Sequence, residues 1–430
     1  MNRGFMMNFK IPCGQQKLDL TLPDEQVVGV LESNIGTMKA TGTEDEIVQA
    51  AMAKPYGGTT LAELAKGKKT CTIICSDHTR PVPSQHIIPF MLKELREGNP
   101  DIDITLLIAT GFHRLSVEKE MRAKFGDDIV DNEKIVVHNS ADADSNVKIG
   151  VLPSGADCII DKVAAHADLL VSEGFIEPHF FAGFSGGRKS VLPGVCDRKT
   201  VMGNHCSKFI DSPYARTGIL EGNPLHKDMV AAAKMAGLAY IVNVVIDEDK
   251  KVVAAFAGDP YEAHASGCEF LSGYCQVKAV PADISITSNG GAPLDQNMYQ
   301  CVKGMTAAEA TTKEGGVIII CADCADGTGG DGFYNALKNC ESPQALMDDI
   351  LKVPQDETQP DQWEYQIQSR ILIHHPVIYV SRPEMKQTIE EMKMIYAATL
   401  DEAVAKAKEI RGENATFTVI PNGISVIVRA

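Results

Sequence analysis

The most restrictive feature of this sequence is a buried-strand pattern that recurs along its first half and is followed each time by a polar loop. Short apolar runs at Thr70–Cys75, Ile102–Ala109 and Asp168–Gly174 are rich in Ile, Leu and Val. Helical spacing of apolar residues follows the first two runs, at Ser84–Arg96 and Ser116–Phe125. Because strands that alternate with helices form parallel sheets, this order predicts an α/β fold with mostly parallel sheets.

The polar loops fall where such folds bind ligands. Ser76–Pro83 follows the first strand, and Thr110–Arg114 follows the second. The carboxyl ends of parallel strands lie at one edge of a sheet, and open α/β sheets bind their ligands there. We therefore expect Asp77, Arg80 and His113 to belong to one site. A histidine alone at such a position more often has a structural role, but polar groups at two successive strand ends make a functional role of His113 an equally good interpretation.

The third strand leads into the segment Glu177–Val195, which is rich in glycine and phenylalanine. Its glycines at positions 183, 186 and 187 predict a loop whose backbone amides approach a ligand, since a Cβ atom would keep that ligand away. Two cations follow, where an anionic group would lie: Arg188 and Lys189. An ordinary solvated surface loop is the simpler alternative. A phosphate-binding loop fits less well, because Arg188 occupies a position where that motif has glycine.

The length of 430 residues, 44% of them hydrophobic, predicts two domains. The region 267–282 is expected to be rich in turns, and a new strand is predicted at Asp283–Ser288. We place the boundary there, which gives domains at residues 1–274 and 275–430, both of the α/β type. The active site is expected in the crevice between the two domains.

Charge and cysteine usage exclude several classes of function. The formal net charge of −16 argues against a nucleic-acid partner and against an anionic membrane surface. The N-terminus has no signal-peptide pattern and no apolar run reaches about 18 residues, so we predict a cytoplasmic protein. The 12 cysteines show no repeated spacing, which is typical of reduced and mostly buried thiols. Cys321 and Cys324 form a lone C-x-x-C pair, whereas structural zinc generally requires four ligands.

The remaining predictions concern single elements. Asn223–Gly237 is predicted as a capped helix with His226 on its surface, and Thr306–Glu309 as a capping box that opens a new helix. A hairpin is predicted around the turn at 247–250. Trp363 is the single tryptophan, and it is expected either as a core anchor or as a ring stacked on a flat cofactor.

The chemistry of these side chains points to a racemase. Two imidazoles, His113 and His179, could flank one carbon and exchange protons with it near neutral pH. Arg80 and Lys303 could hold a carboxylate, and a lysine amine such as that of Lys189 readily forms covalent bonds to carbonyl-type carbons. Since the α-hydrogen of a 2-hydroxy acid is hardly acidic, a hydride-accepting cofactor is also required.

A metal is the remaining component that the side chains suggest. His205, in a Gly-Asn-His-Cys turn, is a candidate ligand. Imidazole binds nickel, zinc, copper and iron alike, so spacing alone leaves the metal open.

Five motifs occur in order along nearly the whole chain: Ser76-Asp-His-Thr-Arg80, Gly111-Phe-His-Arg114, Glu177-Pro-His179 with Gly183-Phe-Ser-Gly-Gly-Arg-Lys189, Gly203-Asn-His205 and Tyr299-Gln-Cys-Val-Lys303. Together they resemble the motifs of the nickel-dependent lactate racemase family. Each motif is weak singly, but five in the same order are hard to produce by chance.

The resemblance implies a nickel-pincer nucleotide, pyridinium-3-thioamide-5-thiocarboxylic acid mononucleotide, linked covalently to Lys189. It implies that His205 completes the nickel coordination. It also implies that His113 and His179 are the paired acid/base groups, while hydride passes to the cofactor and back through a pyruvate-like intermediate. Enzymes that build the cofactor would be transient partners.

The resemblance also distributes the remaining roles. Arg80, Gln300, Lys303 and Tyr299 would contact the substrate, a small 2-hydroxy acid. The cofactor would be contacted by Ser76, Asp77, Arg188 and Trp363. In this division the domain 1–274 carries the cofactor anchor and the histidines, and the domain 275–430 contributes substrate-orienting residues. Three alternatives remain: a racemase or epimerase of another 2-hydroxy acid, a phosphate-loop nucleotide-binding protein, and a non-catalytic nickel or nucleotide carrier.

Overall fold

The computed structural model describes residues 5–247 and 249–430. Its strands, in chain order, are β1 (Met6–Cys13), β2 (Gln16–Pro23), β3 (Val27–Val30), β4 (Thr70–Ser76), β5 (Asp103–Ala109), β6 (Lys134–Val137), β7 (Asn146–Val151), β8 (Asp157–Asp161), β9 (Leu169–Phe175), β10 (Pro178–His179), β11 (Gly183–Phe184), β12 (Leu238–Ile246), β13 (Val252–Gly258), β14 (Gln276–Lys278), β15 (Ala282–Ser288), β16 (Thr312–Cys321), β17 (Val377–Val380), β18 (Ile395–Ala397), β19 (Phe417–Ile420) and β20 (Ile427–Arg429).

The α-helices, again in chain order, are α1 (Glu44–Ala53), α2 (Leu61–Ala65), α3 (Ile88–Gly98), α4 (Glu118–Phe125), α5 (Asp127–Asn132), α6 (Lys162–Ala165), α7 (Arg198–Asn204), α8 (Ser207–Ile210), α9 (Pro224–Met235), α10 (Pro260–Cys275), α11 (Met298–Glu309), α12 (Asp331–Asn339), α13 (Pro343–Ile350), α14 (Gln362–His374), α15 (Lys386–Glu391) and α16 (Leu400–Arg411). Among the residues described, no helix is both long enough and apolar enough to cross a membrane.

The described chain forms two compact units. The first unit comprises residues 35–205 and 212–274, and the second comprises residues up to 34, 206–211 and 275–430. The predicted division after residue 274 therefore coincides with the last point at which the chain passes between units. The N-terminal segment differs from the prediction, because β3 pairs in parallel with β19 of the second unit. Strand pairing is non-local, so alternation along the chain does not reveal it.

The first unit is built on a six-stranded sheet in the order β13-β12-β9-β4-β5-β6. All neighbouring strands are parallel except β12 and β13, which form the predicted antiparallel hairpin. The hairpin turn at 247–250 includes residue 248, which lies outside the described residues. The chain runs from β4 to β5 on one side of the sheet and returns with β9 on the other side of β4. This change of direction creates a topological switch point at β4, where open sheets leave a crevice at their carboxyl ends.

The second unit has a six-stranded sheet in the order β18-β17-β16-β15-β19-β3, with every neighbouring pair parallel. Its switch point is at β15, because β16 to β18 lie on one side and β19 and β3 on the other. The predicted α/β fold with mostly parallel sheets is thus confirmed in both units.

Apolar side chains from both faces of each sheet form the cores. Ile73, Leu106, Val171 and Val242 are fully buried in the first unit, under α1 to α3. Burying a side chain of this size stabilises the fold by about 1.5–3 kcal/mol. All 12 cysteines are unpaired and most are buried, as the composition predicts. Cys324 contacts the Tyr379 hydroxyl at 3.4 Å, inside the second unit.

Three local predictions are wrong, two of them at residues where a tertiary contact overrides the local pattern. Thr306 opens no helix: α11 continues to Glu309, and the Thr306 hydroxyl donates to the Lys303 carbonyl at 2.7 Å. Gly267 marks no turn, because it lies inside α10, where a Cβ atom would approach Ile176 to 2.2 Å. His226 is half-buried rather than on the surface, and it accepts a hydrogen bond from Arg188.

Candidate active site

An aspartate and a histidine from two neighbouring strand ends form a close pair in the first unit. Asp77 follows β4, is 1% exposed and has its Oδ2 2.7 Å from His113 Nδ1. Thr79 donates to the other oxygen, Oδ1, at 2.7 Å through its hydroxyl and at 3.2 Å through its amide. Burial alone would raise the pKa of Asp77, but the hydrogen bond from His113, its charge and the Thr79 bond together lower it. Asp77 is therefore an anion at neutral pH and holds the His113 ring.

The loop after β4 is held by two ionisable side chains, the half-buried Lys124 and the buried Glu173. The ammonium of Lys124 donates to the carbonyls of Arg80 at 2.9 Å and Val82 at 3.2 Å. Glu173, on β9, accepts from the Ser76 amide at 2.7 Å. Burial raises the pKa of Glu173 and lowers that of Lys124. These contacts fix the backbone that presents Asp77 and Arg80.

A second cluster forms around Phe181, in the segment that follows β9. The His179 ring lies edge-on to Phe181 at 4.5 Å, and the His205 ring lies edge-on to it at 5.2 Å. The Lys189 ammonium is 5.9 Å from the centre of the same ring. The structure thus brings three sequence-predicted residues, His179, Lys189 and His205, around one aromatic side chain.

The electrostatics of His205 keep it neutral. It caps the C-terminus of α7 and is 5% exposed. Burial, reinforced by the nearby charge of Lys189, lowers its pKa from 6.5 to about 3. Its Nδ1 is 3.0 Å from the Val201 carbonyl, and because a carbonyl only accepts, Nδ1 carries the proton. The lone pair is consequently on Nε2, which is the arrangement that metal-binding histidines use.

Backbone hydrogen bonds connect the His113 turn to the Lys189 segment. The Gly111 amide donates to the Gly194 carbonyl at 3.0 Å, and the Gly194 amide donates to the Lys189 carbonyl at 3.2 Å. The turn after β5 is thus bonded to the segment that follows β9, as expected if the carboxyl ends of these strands lie at one edge of the sheet.

Arg188 does not have the position that the sequence predicts. Its guanidinium is 2% exposed and donates to the backbone carbonyls of Ala182 at 2.7 Å, Phe184 at 2.7 Å and Gly186 at 3.2 Å. Its Nε donates to His226 at 3.1 Å. Burial lowers the pKa of Arg188 to about 10. The side chain binds the loop that contains it, so this placement does not support contact with an anionic ligand.

The glycines of the same loop also serve internal packing. A Cβ atom on Gly183 would lie 2.4 Å from the Ile219 carbonyl oxygen, and one on Gly187 would lie 2.6 Å from the His264 ring. Both residues have positive φ angles, which favour glycine. The Gly187 amide donates to Asn243 at 2.7 Å. The glycines at 183 and 187 are therefore required by packing, and the Gly187 amide is bonded inside the protein, while contact between this loop and a cofactor stays a prediction.

The second unit groups the remaining sequence-predicted residues on two packed helices. The Lys303 ammonium donates to Gln300 at 2.7 Å, one turn apart on α11. Trp363, in the first turn of α14, donates from its indole nitrogen to the Tyr299 hydroxyl at 3.0 Å. Trp363 is 8% exposed, so its role as a core anchor is compatible with the structure.

Sequence reasoning missed the residues that support the site. Thr79 and Lys124 give no local pattern that separates them from solvated residues. Glu173 could have been found, because a carboxylate in an otherwise apolar strand must have a partner. Phe181 adjoins His179 in a segment already singled out, but only the folded ring contacts identify it as the centre of a cluster.

Comparison with known proteins identifies the family of this chain. The family model of the lactate racemase N-terminal domain matches residues 13–218, and that of the lactate racemase C-terminal domain matches residues 277–428. The chain is 54% identical over 424 residues to a lactate racemase of Thermoanaerobacterium thermosaccharolyticum and 53% identical over 424 residues to one of Lactiplantibacillus plantarum. Each alignment covers 99% of this chain and 100% of the relative.

Solved structures extend the comparison. The lactate racemase apoprotein from Thermoanaerobacterium thermosaccharolyticum superimposes with a TM-score of 0.96 at 54% identity, covering 99% of this chain and 100% of that one. A protein from Thermotoga maritima superimposes with a TM-score of 0.65 at 17% identity, covering 91% and 100%, and so shares the fold alone. This chain belongs to the lactate racemase family and is accordingly an isomerase of the racemase type.

Proposed function

We propose that this protein interconverts D- and L-lactate or the enantiomers of a closely related 2-hydroxy acid. Full-length identity of 53–54% to two lactate racemases supports the substrate class. The observation that carries the proposal is the grouping of His179, Lys189 and His205 around Phe181, together with the Asp77–His113 pair. It combines proton-transfer groups, a nucleophilic amine and a neutral imidazole donor.

The two histidines are held in opposite tautomers. Because the Asp77 carboxylate only accepts, His113 carries its proton on Nδ1, and its Nε2 has the lone pair of a base. The Ala182 amide donates to His179 Nδ1 at 3.3 Å, so the neutral His179 ring carries its proton on Nε2. Racemisation requires a neutral imidazole that accepts the hydroxyl proton and an imidazolium that returns it, and each of the two histidines would take both forms in turn.

Asp77 is a positioning residue in this scheme. It fixes the tautomer of His113 and stabilises the imidazolium that forms when His113 Nε2 accepts a proton. Its own proton affinity stays low because His113 and Thr79 both donate to it. The proton therefore remains on the imidazole, from which it can be returned to the substrate oxygen.

The residues fit the nickel-pincer nucleotide that the family resemblance implies. Lys189 would form the covalent link, and His205 would donate its Nε2 lone pair to nickel, since its Nδ1 is held by the Val201 carbonyl. When bound, this group would supply a hydride acceptor, chemistry that amino-acid side chains lack. Phe181 packs against His179 and His205, and thereby limits the rotation of both rings.

Three side chains would orient the substrate, two of them cations and one of them an amide. Arg80 and Lys303 would bind the carboxylate, and Gln300 would hold Lys303 through the 2.7 Å hydrogen bond. Tyr299 and Trp363 would shape the pocket through their mutual hydrogen bond. The size of the acid that fits is set by such contacts, since each methylene changes binding by about 1–3 kcal/mol.

The test is to produce the protein with and without cofactor-building enzymes and to measure intact mass and lactate racemisation by chiral chromatography. We expect a mass adduct and activity only in the first preparation. Lys189→Ala and Lys189→Arg should lose both, because neither side chain can form the thioamide. A loaded wild-type protein that leaves D-lactate and a panel of other 2-hydroxy acids unchanged would refute the proposal.

A further inference from the structure

A buried carboxyl group lies beside the residues assigned to the substrate in the second unit. Glu364 follows Trp363 in the first turn of α14 and is 1% exposed. Its Oε1 is buried without a hydrogen-bond partner. Burying a carboxylate with an unpaired oxygen destabilises the folded state. Such groups therefore tend to occur at sites where their charge has a function.

The charges around Glu364 come from α11 and from the start of its own helix. α14 packs against α11, and Trp363, the neighbour of Glu364, donates to the Tyr299 hydroxyl on α11 at 3.0 Å. Lys303 lies one turn after Tyr299 on α11, and its charge favours the ionised form of Glu364. The charge of Asp361, the N-cap residue of α14, disfavours that form. The Tyr299 hydroxyl is neutral at physiological pH, since burial and the charges of Glu364 and Asp361 raise its pKa. Arg370 on α14 and Glu309 on α11 form a salt bridge between the same two helices, with Nε and Oε1 2.7 Å apart.

We propose that Glu364 is the counter-ion of Lys303 and regulates substrate binding by its protonation: the ionised carboxylate competes with the substrate carboxylate for Lys303, and the protonated carboxyl does not. This inference rests on the proposed substrate class, a 2-hydroxy carboxylate. It follows from electroneutrality, because a lysine that already faces a buried anion attracts a second anion weakly. Asp361 moves the onset of this competition to higher pH, since its charge disfavours ionisation of Glu364.

The direction of the pH dependence can be derived. Burial raises the pKa of Glu364 from 4.5 to about 8, although Lys303 opposes the shift. Below this pH the carboxyl is neutral and does not compete with the substrate for Lys303. Above it the carboxyl ionises, and a bound substrate anion must then be accompanied by proton uptake at Glu364. KM for lactate should therefore be constant below the break and rise by up to about tenfold per pH unit above it.

The experiment measures kcat and KM of the cofactor-loaded enzyme over about two pH units on either side of the break. Glu364→Gln imitates the protonated acid, so its KM should stay low at high pH, where the KM of wild type rises. Asp361→Asn removes the repulsive charge and should move the break to lower pH. Glu309→Gln changes a carboxylate between the same two helices and should leave the break where it is in wild type.

A spectroscopic measurement tests the same group without turnover. Infrared spectra of the apoprotein should contain a protonated-carboxyl band that titrates with the same break and is missing from Glu364→Gln. An unchanged rise of KM in Glu364→Gln, a flat KM in wild type, or the lack of this band in wild type would each overturn the inference. Should Glu364→Gln fail to fold, the infrared band and the Asp361→Asn shift still decide. A loaded wild type that does not racemise lactate refutes the proposed function instead.

Discussion

Replacement of Asp77 by asparagine tests how much the positioning of His113 contributes to turnover, independently of the other proposed site residues. Asp77 is 1% exposed and its Oδ2 is 2.7 Å from His113 Nδ1, so the substitution exchanges a buried charge-assisted hydrogen bond for a neutral one. The amide cannot satisfy both neighbours, because its NH2 group would face either the His113 N–H or the Thr79 amide and hydroxyl donors. A hydrogen bond to a charged group contributes about 1.5–3 kcal/mol, and that loss in the transition state lowers turnover by about 10- to 150-fold.

The assay is racemisation of lactate in both directions by loaded Asp77→Asn protein, with adduct mass and nickel content measured on the same sample. Both directions must slow by the same factor in kcat/KM, since the equilibrium constant between enantiomers is one. Asp161→Asn is the matched control, because Asp161 pairs with His138 at 2.9 Å in the same unit, and both side chains are buried. It should lower Tm but keep turnover per loaded molecule. A fully loaded Asp77→Asn enzyme with parent turnover would refute the assigned role of Asp77.

Four further substitutions test the remaining roles. His113→Ala or His179→Ala should reduce turnover by about 10²–10⁴-fold with normal adduct mass, as expected for proton-transfer groups; parent-rate racemisation by a loaded variant would contradict this. His205→Ala should lower nickel content, measured by elemental analysis, while the covalent adduct remains; unchanged nickel would argue against its role as a ligand. Arg188→Lys should lower Tm and adduct yield, because one ammonium cannot reproduce the planar set of donors to Ala182, Phe184 and Gly186; a variant with parent Tm would show that these bonds contribute little.

The sequence alone predicted the main strands and the candidate residues of the site. Apolar runs such as Thr70–Cys75 and Ile102–Ala109 became the strands β4 and β5, because hydrophobic periodicity is a local property. The placement of polar loops after those strands located Asp77 and His113 at one edge, and parallel pairing then brought them to 2.7 Å. The motifs also identified His179, Lys189 and His205, which the fold collects around Phe181.

Only the tertiary structure decided which partner each polar group has. The pattern of Arg188 with the glycines at 183 and 187 predicts ligand binding. In the fold, however, Arg188 donates to carbonyls of its own loop, and both glycines are packed closely against neighbouring residues. A buried guanidinium requires acceptors, and the carbonyls within reach provide them. The pairing of β3 with β19, and the burial of Glu364 on α14, which packs against α11, depend on contacts between residues far apart in the chain. Such contacts are formed by packing and leave no local pattern, so the charge state and the role of a side chain follow from the fold rather than from its neighbours in sequence.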